Sequence, residues 1–495
     1  MIEILKSAEL SKRIALSKER LSSKEYAYPG IFNNKSDWPG DWEGRAILSL
    51  TMLYHAVDSK KDKSEILTQL KEIFDHIEEH LNKFYYFGSE MSDETIDEQQ
   101  LSGNSWYIRG LINYYLITKD EKYLNYLRVI KDNFVAKTIS FYEKYPLCKR
   151  EFGDVGGHLL QESVDGWKLS SDIGCAYIFF DALTNLYSLF KEEDLKVWCD
   201  RVFESFKRLN YISLECQTHA TLSFTRGVIR LYKETHEEKY LNKAIRIFND
   251  YINFGMTKDY SNMNWFNRPN TWTEPCCIVD SLICSDELFK LTDDFNYLHL
   301  ANRIYLNAFR GAQRTNGGAG CNTCLINDNK ILKVHLYEAY FCCTMRFPEG
   351  LNYTKNNLVI RKDDKLLIQF FEDFIYEDDK IKFSVKGNPY LDEKVEINVE
   401  KLAKPQQILI YSTEKGNYRE LVEVKDTGLY KVKIDFALKK ENAEILYGDM
   451  VLTKKNFNDE EDNKTFVINN EKYTYIYNFI DAKNKSNELK IVQEI

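Results

Sequence analysis

Length, composition and charge limit what this chain can be. Its 495 residues suffice for two or more domains and a sizeable buried core. The formal net charge of -9, from 67 basic and 76 acidic residues, provides no basic stripe for phosphates, so we expect neither nucleic acid nor a membrane surface as partner. The N-terminal segment MIEILKSAELSKRIALSKERLSS lacks the apolar core of a secretion signal, which predicts a cytoplasmic protein.

The sequence up to about residue 355 has a helical pattern, because apolar residues recur at three- and four-residue spacing. The motif T-x-x-x-x-Y-L follows one apolar helix and opens the next at 118–124, 235–241 and 292–298. Such repeats indicate αα-hairpins that bury one face against their neighbours. We predict hairpins near 44–85, 103–137, 171–208, 218–254 and 274–312, and a sixth assembled from 338–354 and the N-terminal helix. Six hairpins close an (α/α)6 barrel with its pocket at one mouth.

After about residue 357, apolar and polar residues alternate along the chain, in runs such as LVIRKDDKLLIQF and KIKFSVKG. Asp, Asn, Gly and Lys occupy the turns between these runs, which is typical of an antiparallel β-sandwich. The chain is therefore predicted to be mainly α with a β C-terminal domain. We expect the (α/α)6 barrel at 1–355 and the antiparallel β-sandwich at 356–495.

Five loops that lead into the expected inner helices place aromatic or histidine side chains beside carboxylates and amides. Together these groups suit recognition of a polyhydroxylated ring. For any single residue, helix capping or loop packing explains the pattern equally well. The candidate sugar-binding residues are Trp42, Trp106, His158, Trp167, His219 and Trp265.

Eleven cysteines in a chain expected in a reducing compartment indicate metal binding or burial rather than disulfides. Glu274-Pro275-Cys276 ends a loop and begins a helix, whose dipole is expected to lower the pKa of the Cys276 thiol. Six cysteines fall into three pairs: Cys276 with Cys277, Cys321 with Cys324, and Cys342 with Cys343.

One carboxylate and three thiolates, from Glu274, Cys276, Cys342 and Cys343, would make a tetrahedral set for Zn2+. Adjacent cysteines on one ion require an irregular backbone, because neighbouring side chains diverge on a strand and lie about 100° apart on a helix. The C-x-x-C pair Cys321 and Cys324 is the competing half-site, for a purely structural zinc. His335 is a candidate hydrogen-bond partner of a ligand.

A resemblance to a known family distinguishes these alternatives. The segments WTEPC at 272–276, CCT at 342–344 and QTHA at 217–220, with the loop WPGDWEGRAIL, resemble the β-L-arabinofuranosidase superfamily, glycoside hydrolase family 127 and its relatives. The similarity runs along most of 38–350. The pattern E-x-C followed far downstream by C-C is its most specific element. The family's order of helical barrel and then β-sandwich agrees with the order predicted here from periodicity.

The resemblance implies a ligand set and a nucleophile. In the family, the glutamate and cysteine of E-x-C and the paired cysteines hold zinc, and the first cysteine of the pair forms a thioglycosyl intermediate in a retaining reaction. Carried onto the matching positions, Glu274, Cys276, Cys342 and Cys343 bind zinc and Cys342 is the attacking sulfur. The resemblance also places His219 in the sugar pocket.

The general acid departs from the family pattern. Family members carry a glutamate in the loop ahead of E-x-C, whereas this chain has no Glu between 239 and 273. Asp259 is the carboxylate in that loop and our first candidate for the acid/base, and Glu338, four residues before Cys342, is the second. A more distant carboxylate, or loss of the acid, stays open.

The sequence predicts a zinc-dependent retaining exo-glycosidase that releases a single sugar such as β-L-arabinofuranose from an oligosaccharide or glycoconjugate. Three alternatives stay open: another sugar-active (α/α)6 enzyme such as an epimerase or lyase, an inactive carbohydrate-binding relative with a structural zinc, and a zinc-dependent cyclase of the lanthionine-forming kind. The cyclase pattern requires a histidine after the paired cysteines, where this chain has Thr344. Sugar identity, linkage and oligomeric state, including a homodimer, stay undecided.

Overall fold

The structure is a computed structural model of the chain. Helices fill most of the chain up to Asn356, and strands predominate from Val359 onward. Among the described helices, none combines the length and apolar character needed to cross a bilayer. The described residues are 3–33, 37–150, 157–322, 324, 331–332, 338–362, 365–370, 372–387, 394–411, 418–433, 439–441, 444–447, 450–452, 454–455, 464–468 and 471–475.

The helical part consists of long helices joined by loops and short 3-10 turns, with π-helical turns at Lys131–Val135 and Tyr305–Phe309. The helices are α1 (Ala8–Leu21), α2 (Asp41–Ala56), α3 (Lys60–His76), α4 (Glu98–Thr118), α5 (Glu121–Ile130), α6 (Ala136–Ile139), α7 (Phe179–Phe190), α8 (Glu193–Lys207), α9 (Thr218–Thr235), α10 (Glu238–Phe254), α11 (Pro275–Thr292), α12 (Phe295–Ile304), α13 (Arg310–Ala312) and α14 (Cys343–Asn356).

Six of these helices form a closed inner ring. Helices α2, α4, α7, α9, α11 and α14 each pack against the next, and α14 packs back against α2. Most of their residues are buried, polar ones included, because neighbouring helices surround them. Helices α2 and α4 approach each other closely, since a Cβ on Gly44 would lie 2.2 Å from the backbone nitrogen of Tyr107.

The outer helices cover the ring with one apolar face each. Helix α10, for example, buries Leu241, Ile247, Phe248 and Tyr251 on one side. The six predicted hairpins are confirmed, and the sixth does combine α14 with the N-terminal helix α1, which packs against both α14 and α2. The predicted (α/α)6 barrel is therefore the observed fold of this part.

Strands in the C-terminal region form a five-stranded sheet in the order β1-β8-β9-β10-β13 and a four-stranded sheet in the order β12-β11-β7-β6. The strands are β1 (Glu3–Ser7), β2 (Ile96–Asp97), β3 (Leu159–Val164), β4 (Trp167–Ser170), β5 (Ile331–Leu332), β6 (Val359–Lys362), β7 (Lys365–Ile368), β8 (Phe374–Glu377), β9 (Ile381–Lys386), β10 (Lys394–Leu402), β11 (Gln406–Tyr411), β12 (Tyr418–Val424), β13 (Gly428–Lys433), β14 (Lys439–Glu441), β15 (Glu444–Tyr447), β16 (Met450–Leu452), β17 (Lys454–Lys455), β18 (Lys464–Ile468) and β19 (Glu471–Tyr475).

The β region follows the predicted alternation, since Ile381, Phe383 and Val385 of β9 are buried and the residues between them are partly exposed. Two details differ from the sequence prediction. Strand β7 pairs with β11 in parallel, so the four-stranded sheet is mixed. Strand β1, from the segment that we assigned to the barrel, pairs with β8.

Buried polar contacts tie the β region to the barrel. The carboxylate of Glu372 accepts a hydrogen bond from the backbone nitrogen of Leu10 at 2.9 Å and another from the Tyr305 hydroxyl. The side-chain amide of Asn302 donates to the backbone oxygen of Gln369 at 2.8 Å. The two parts therefore share one continuous interface.

Candidate metal and sugar site

Residues at the starts of four inner helices meet at one end of the barrel. Arg45 of α2 donates to the sulfur of Cys276 of α11 at 3.5 Å. The sulfurs of Cys276 and Cys343 of α14 lie 3.6 Å apart. His219 of α9 lies 3.4 Å from Glu274, the residue before α11. Because these helices run in the same direction, the loops before them share one mouth.

The predicted ligand residues converge at this mouth. One ligand atom from each of Glu274, Cys276, Cys342 and Cys343 lies within 4.8 Å of every other. Three of the four residues are buried, and Cys342 is partly exposed. Three sulfurs and a carboxylate oxygen so close together match the donor set of a tetrahedral zinc site. Among the described residues, Cys321 and Cys324 do not belong to such a group.

The local backbone explains how neighbouring cysteines reach the same point. Cys342 is the N-cap of α14 with φ -148° and ψ -67°, outside both helical and strand geometry, while Cys343 is the first helical residue. Glu274 is the extended N-cap of α11, and Pro275 occupies the first helical turn. The irregular backbone that adjacent ligands require is therefore present.

Two observations fit a cation at this point. The Oε2 atom of Glu274 is buried and has no hydrogen-bond partner among the described residues. Burial raises the pKa of the Cys276 thiol well above its usual value, and that of Cys343 likewise. In the metal-free protein the shift of the Cys276 pKa is therefore opposite in direction to the lowering expected from the helix start, with burial as its largest cause. A bound cation would supply the charge that thiolates need here.

His219 is held beneath the cluster. Its Nδ1 lies 3.4 Å from Glu274 Oε1, and its Nε2 lies 3.4 Å from Asp280 Oδ2. Its ring is stacked on Trp106, with centroids 5.6 Å apart. His219, a predicted sugar-binding residue, contacts the candidate metal ligand Glu274 directly. It is 1% exposed, so in this conformation it offers little surface to a sugar.

Asp280 connects His219 to a buried layer of charge. It accepts hydrogen bonds from Arg226 at 2.7 Å and Arg346 at 2.6 Å. Burial alone would raise its pKa, but these two guanidinium groups outweigh burial and lower it. Asp280 therefore stays ionised. It contacts the Nε2 edge of the His219 ring, while Glu274 contacts the Nδ1 edge.

Arg45 places positive charge beside the sulfurs. Its Nε bonds both carboxylate oxygens of Asp41 at 2.9 Å, and its guanidinium lies 4.2 Å from the centroid of the Trp106 ring. It is 5% exposed. Three thiolates and one carboxylate on a divalent ion leave net negative charge, which this buried cation partly offsets.

The remaining predicted sugar residues are distributed unevenly. Trp42 is stacked on Tyr26 at 5.4 Å, at the mouth. Trp106 and Trp265 are almost completely buried, Trp265 against Trp272. Trp167 is fully buried in an aromatic cluster and donates its indole N–H to the backbone of Phe141.

His158 is exposed, and its backbone bonds Ser171 in the segment before the 3-10 turn at Cys175–Ile178. The contact of all these residues with sugar stays a prediction.

The carboxylates considered for the general acid have different surroundings. Asp259 is partly buried and accepts a hydrogen bond from Thr257 at 2.5 Å. Glu338 accepts hydrogen bonds from Arg20, Asn316 and Thr344, at 2.7, 2.7 and 2.8 Å. Those three donors make Glu338 a fixing point for the loop before α14.

Asp172 is a buried carboxylate just before the 3-10 turn at Cys175–Ile178, and no role was predicted for it from the sequence. Burial raises its pKa to about 7, and the negative charge of Glu274 adds to this effect. The nearby polar indole group of Trp265 acts in the opposite direction. Its Oδ1 is buried with no hydrogen-bond partner among the described residues. Asp172 therefore lies near the cluster with the protonation equilibrium that an acid/base needs.

The competing cysteine pair lies next to the site without completing it. Cys321 is buried beside Cys343, which it contacts through its sulfur. Cys324 donates to the backbone oxygen of Asn262 at 3.5 Å. His335 lies outside the described residues.

Sequence reasoning missed Arg45 and Asp280. Both could have been found from helical spacing. Arg45 lies four residues after Asp41 of the loop WPGDWEGRAIL, and Asp280 lies four residues after Cys276, so each shares a helix face with the earlier residue.

Comparison with known proteins supports the fold. A solved structure described as a glycoside hydrolase matches with a TM-score of 0.64 and 11% identity, covering 96% of this chain and 87% of that one. A GH127 β-arabinofuranosidase matches with a TM-score of 0.63 and 11% identity, covering 91% of this chain and 83% of that one.

A GH127 β-L-arabinofuranosidase from Geobacillus stearothermophilus T6 matches with a TM-score of 0.59 and 10% identity, covering 91% of this chain and 86% of that one. No protein-family model matches the sequence, and no curated protein matches it. The predicted resemblance is therefore confirmed for the fold.

Proposed function

We propose that this chain is a zinc-dependent retaining exo-glycosidase whose nucleophile is the sulfur of Cys342. The observation that carries the proposal is the convergence of one carboxylate and three thiols at the barrel mouth. The shared fold with two GH127 β-arabinofuranosidases supports it. By that likeness we infer release of a single sugar such as β-L-arabinofuranose from an oligosaccharide or glycoconjugate. A cytoplasmic location and a homodimer stay predictions.

The chain's own residues account for the steps of the reaction. Zinc held by Glu274, Cys276, Cys342 and Cys343 would keep the sulfurs deprotonated at neutral pH. Cys342 is the least buried of the three thiols, so its sulfur is the one that a sugar reaches. Its attack on the anomeric carbon forms a C–S bond while the C–O bond to the leaving group breaks, and a carboxylic acid gives its proton to the leaving oxygen.

The second step reverses these roles. Water attacks the same carbon and gives a proton to the carboxylate, and the C–S bond breaks to restore the thiolate. Two inversions retain the configuration. Asp259 is our first candidate for the proton donor, as the sequence predicted, and Asp172 is the alternative that its raised pKa and buried oxygen favour.

The nucleophile is tested by zinc content and hydrolysis of a panel of aryl glycosides that includes a β-L-arabinofuranoside. We expect about one zinc per chain, Cys342-dependent release of one sugar, and a loss of at least about 1000-fold in Cys342→Ser. Cys284→Ser, which changes a buried thiol further along α11, is the matched control and should retain both properties. The proposal would be refuted if Cys342→Ser hydrolysed the glycosides as fast as the wild type. It would also be refuted if the zinc content depended on Cys321 and not on Glu274.

The proton donor is tested in the same assay with leaving groups of different acidity. Removing an acid slows substrates with basic leaving groups far more than activated aryl glycosides, because only the former need a proton. If Asp172 is the donor, activity with basic leaving groups falls as pH rises through about 7, and Asp172→Asn removes this dependence. If Asp259→Asn alone shows the leaving-group effect, Asp259 is the donor.

A further inference from the structure

A continuous series of aromatic rings leads from the barrel core to the surface beside the proposed nucleophile. Trp42 is stacked on Tyr26 at 5.4 Å and meets the ring of Tyr340 edge-on at 6.0 Å. Tyr340 in turn meets Phe341 edge-on at 5.6 Å. Tyr26 and Trp42 are buried, whereas Tyr340 is 50% and Phe341 49% exposed. The series therefore ends in two aromatic side chains at the surface.

This exposed pair is unusual for the molecule. Among the described residues, the large exposed hydrophobic side chains include one other aromatic, Phe254, and the rest are scattered aliphatics. Exposed aromatic rings next to each other cost solvation energy, and they indicate a surface that meets an apolar partner. Packing alone does not explain why these rings stay outside the core.

The pair has a fixed position relative to the site. Tyr340 and Phe341 directly precede Cys342, so their Cα atoms lie within about 8 Å of the Cα of the proposed nucleophile. The hydroxyl of Tyr26 donates to the backbone oxygen of Tyr340 at 2.8 Å, which holds this segment in place. The loop is therefore a preformed part of the mouth.

The relative depths of these groups determine what can reach the rings. The sulfurs of Cys276 and Cys343 belong to buried residues, while the two rings are half exposed. In a displacement at the anomeric carbon, the leaving group departs on the side away from the attacking sulfur. Because Cys342 is itself less exposed than the two rings, the side away from its sulfur faces solvent, where the rings lie.

We propose that Tyr340 and Phe341 form the subsite for the leaving group and bind the apolar face of the ring attached to the scissile oxygen. This inference rests on the proposed function, because it takes Cys342 as the attacking group. The ligand class is a flat ring with an apolar face, either an aryl group or a second sugar. Aromatic side chains bind such faces by stacking and by burial of apolar area.

The test compares glycosides of one sugar that differ only in the group on the anomeric oxygen. Calorimetry measures the binding of three ligands: methyl β-L-arabinofuranoside, phenyl β-L-arabinofuranoside and a disaccharide ending in β-L-arabinofuranose. The proteins are zinc-loaded Cys342→Ser and the same protein with Tyr340→Ala or Phe341→Ala added. We expect each alanine to weaken phenyl glycoside binding about 3- to 10-fold and to leave methyl glycoside binding within about 2-fold. An equal effect on the disaccharide identifies a second sugar as the ligand; no effect on it identifies an aryl group.

Controls separate a binding role from a structural one. Tyr340→Phe keeps the ring and should keep the preference for the phenyl glycoside, and Leu116→Ala changes a side chain that is 44% exposed on α4. Equal losses for methyl and phenyl glycosides, or no loss for either, would overturn the subsite. Binding is measured without turnover, so a preference for the phenyl glycoside that depends on the rings can be detected even if the wild-type protein hydrolyses no glycoside. Failure of the proposed function is therefore recognised separately from failure of the subsite.

Discussion

At the residue scale, the arrangement around Arg45 explains how several sulfurs can be held close together. A guanidinium lies within hydrogen-bond distance of Cys276, is paired with Asp41 and packs over Trp106. Such outer contacts determine how much negative charge a thiolate site tolerates. Arg45 should therefore affect metal affinity although it binds no metal.

We predict that Arg45→Met weakens zinc binding by about 10- to 100-fold, measured by competition with a chelator. Methionine retains much of the packing against Trp106 and removes the charge and the N–H donor. Arg230→Met is the matched control, because Arg230 is also paired with an aspartate, Asp181, on another part of the ring. Unchanged zinc affinity in Arg45→Met would show that this guanidinium does not stabilise the site.

The sequence predicted which candidate ligand residues lie together but not their surroundings. The candidate ligands could be identified because residue type and the spacing that resembles the family are read directly from the sequence. They are Glu274, Cys276, Cys342 and Cys343. The direction of the Cys276 pKa shift could not be predicted from the sequence, because it depends on how much water the folded protein excludes from the thiol. Likewise, Asp172 became a candidate acid only when folding placed it near Glu274.

At the element scale, the contact between α2 and α4 depends on glycine. The two helices approach so closely that a Cβ on Gly44 would meet backbone atoms of Trp106 and Tyr107, which cannot move without shifting the helix. Trp106 forms the floor under His219 and Arg45. The close packing therefore also positions the site.

We predict that Gly44→Ala lowers the free energy of unfolding by about 3 kcal/mol or more, measured by denaturant titration. Gly311→Ala is the control, since a Cβ there has nothing within 4 Å, and it should change stability by no more than about 1 kcal/mol. Equal stability of the two variants would contradict the close contact of α2 with α4.

Helical periodicity predicted the number and order of the hairpins because each helix buries one face at a regular interval. It did not predict the π-helical turns at Lys131–Val135 and Tyr305–Phe309, since a single inserted residue leaves the apolar pattern almost unchanged. It also could not predict that β7 pairs with β11 in parallel, because alternation along a strand does not specify which strand lies beside it.

At the scale of the whole molecule, buried hydrogen bonds and a shared sheet join the barrel to the β region. Glu372 of the β region accepts hydrogen bonds from Leu10 and Tyr305 of the barrel while only 5% exposed. Strand β1 crosses to the sheet that contains β8. Sequence periodicity located the change from helix to strand but could not predict these contacts, which join residues between 67 and 362 positions apart in the case of Glu372.

We predict that the wild-type protein unfolds in a single calorimetric transition and that Glu372→Leu lowers its stability by about 2 to 4 kcal/mol, because two buried donors lose their acceptor. Glu377→Leu in β8, five residues further along the chain, is the control, because Glu377 lies outside this pair of contacts. Two separate transitions in the wild-type protein would show that the barrel and the β region unfold independently.

The packing of α1 against α14 has a consequence for synthesis of the chain. This helix buries Leu10, Ile14 and Leu21 against partners that include α14, which the ribosome produces roughly 320 residues later. At ordinary rates of translation, that delay lasts about 15 to 60 s. Throughout that time the apolar side of the first helix lacks α14 as a partner, so an apolar surface that the folded protein covers stays open to solvent in the nascent chain.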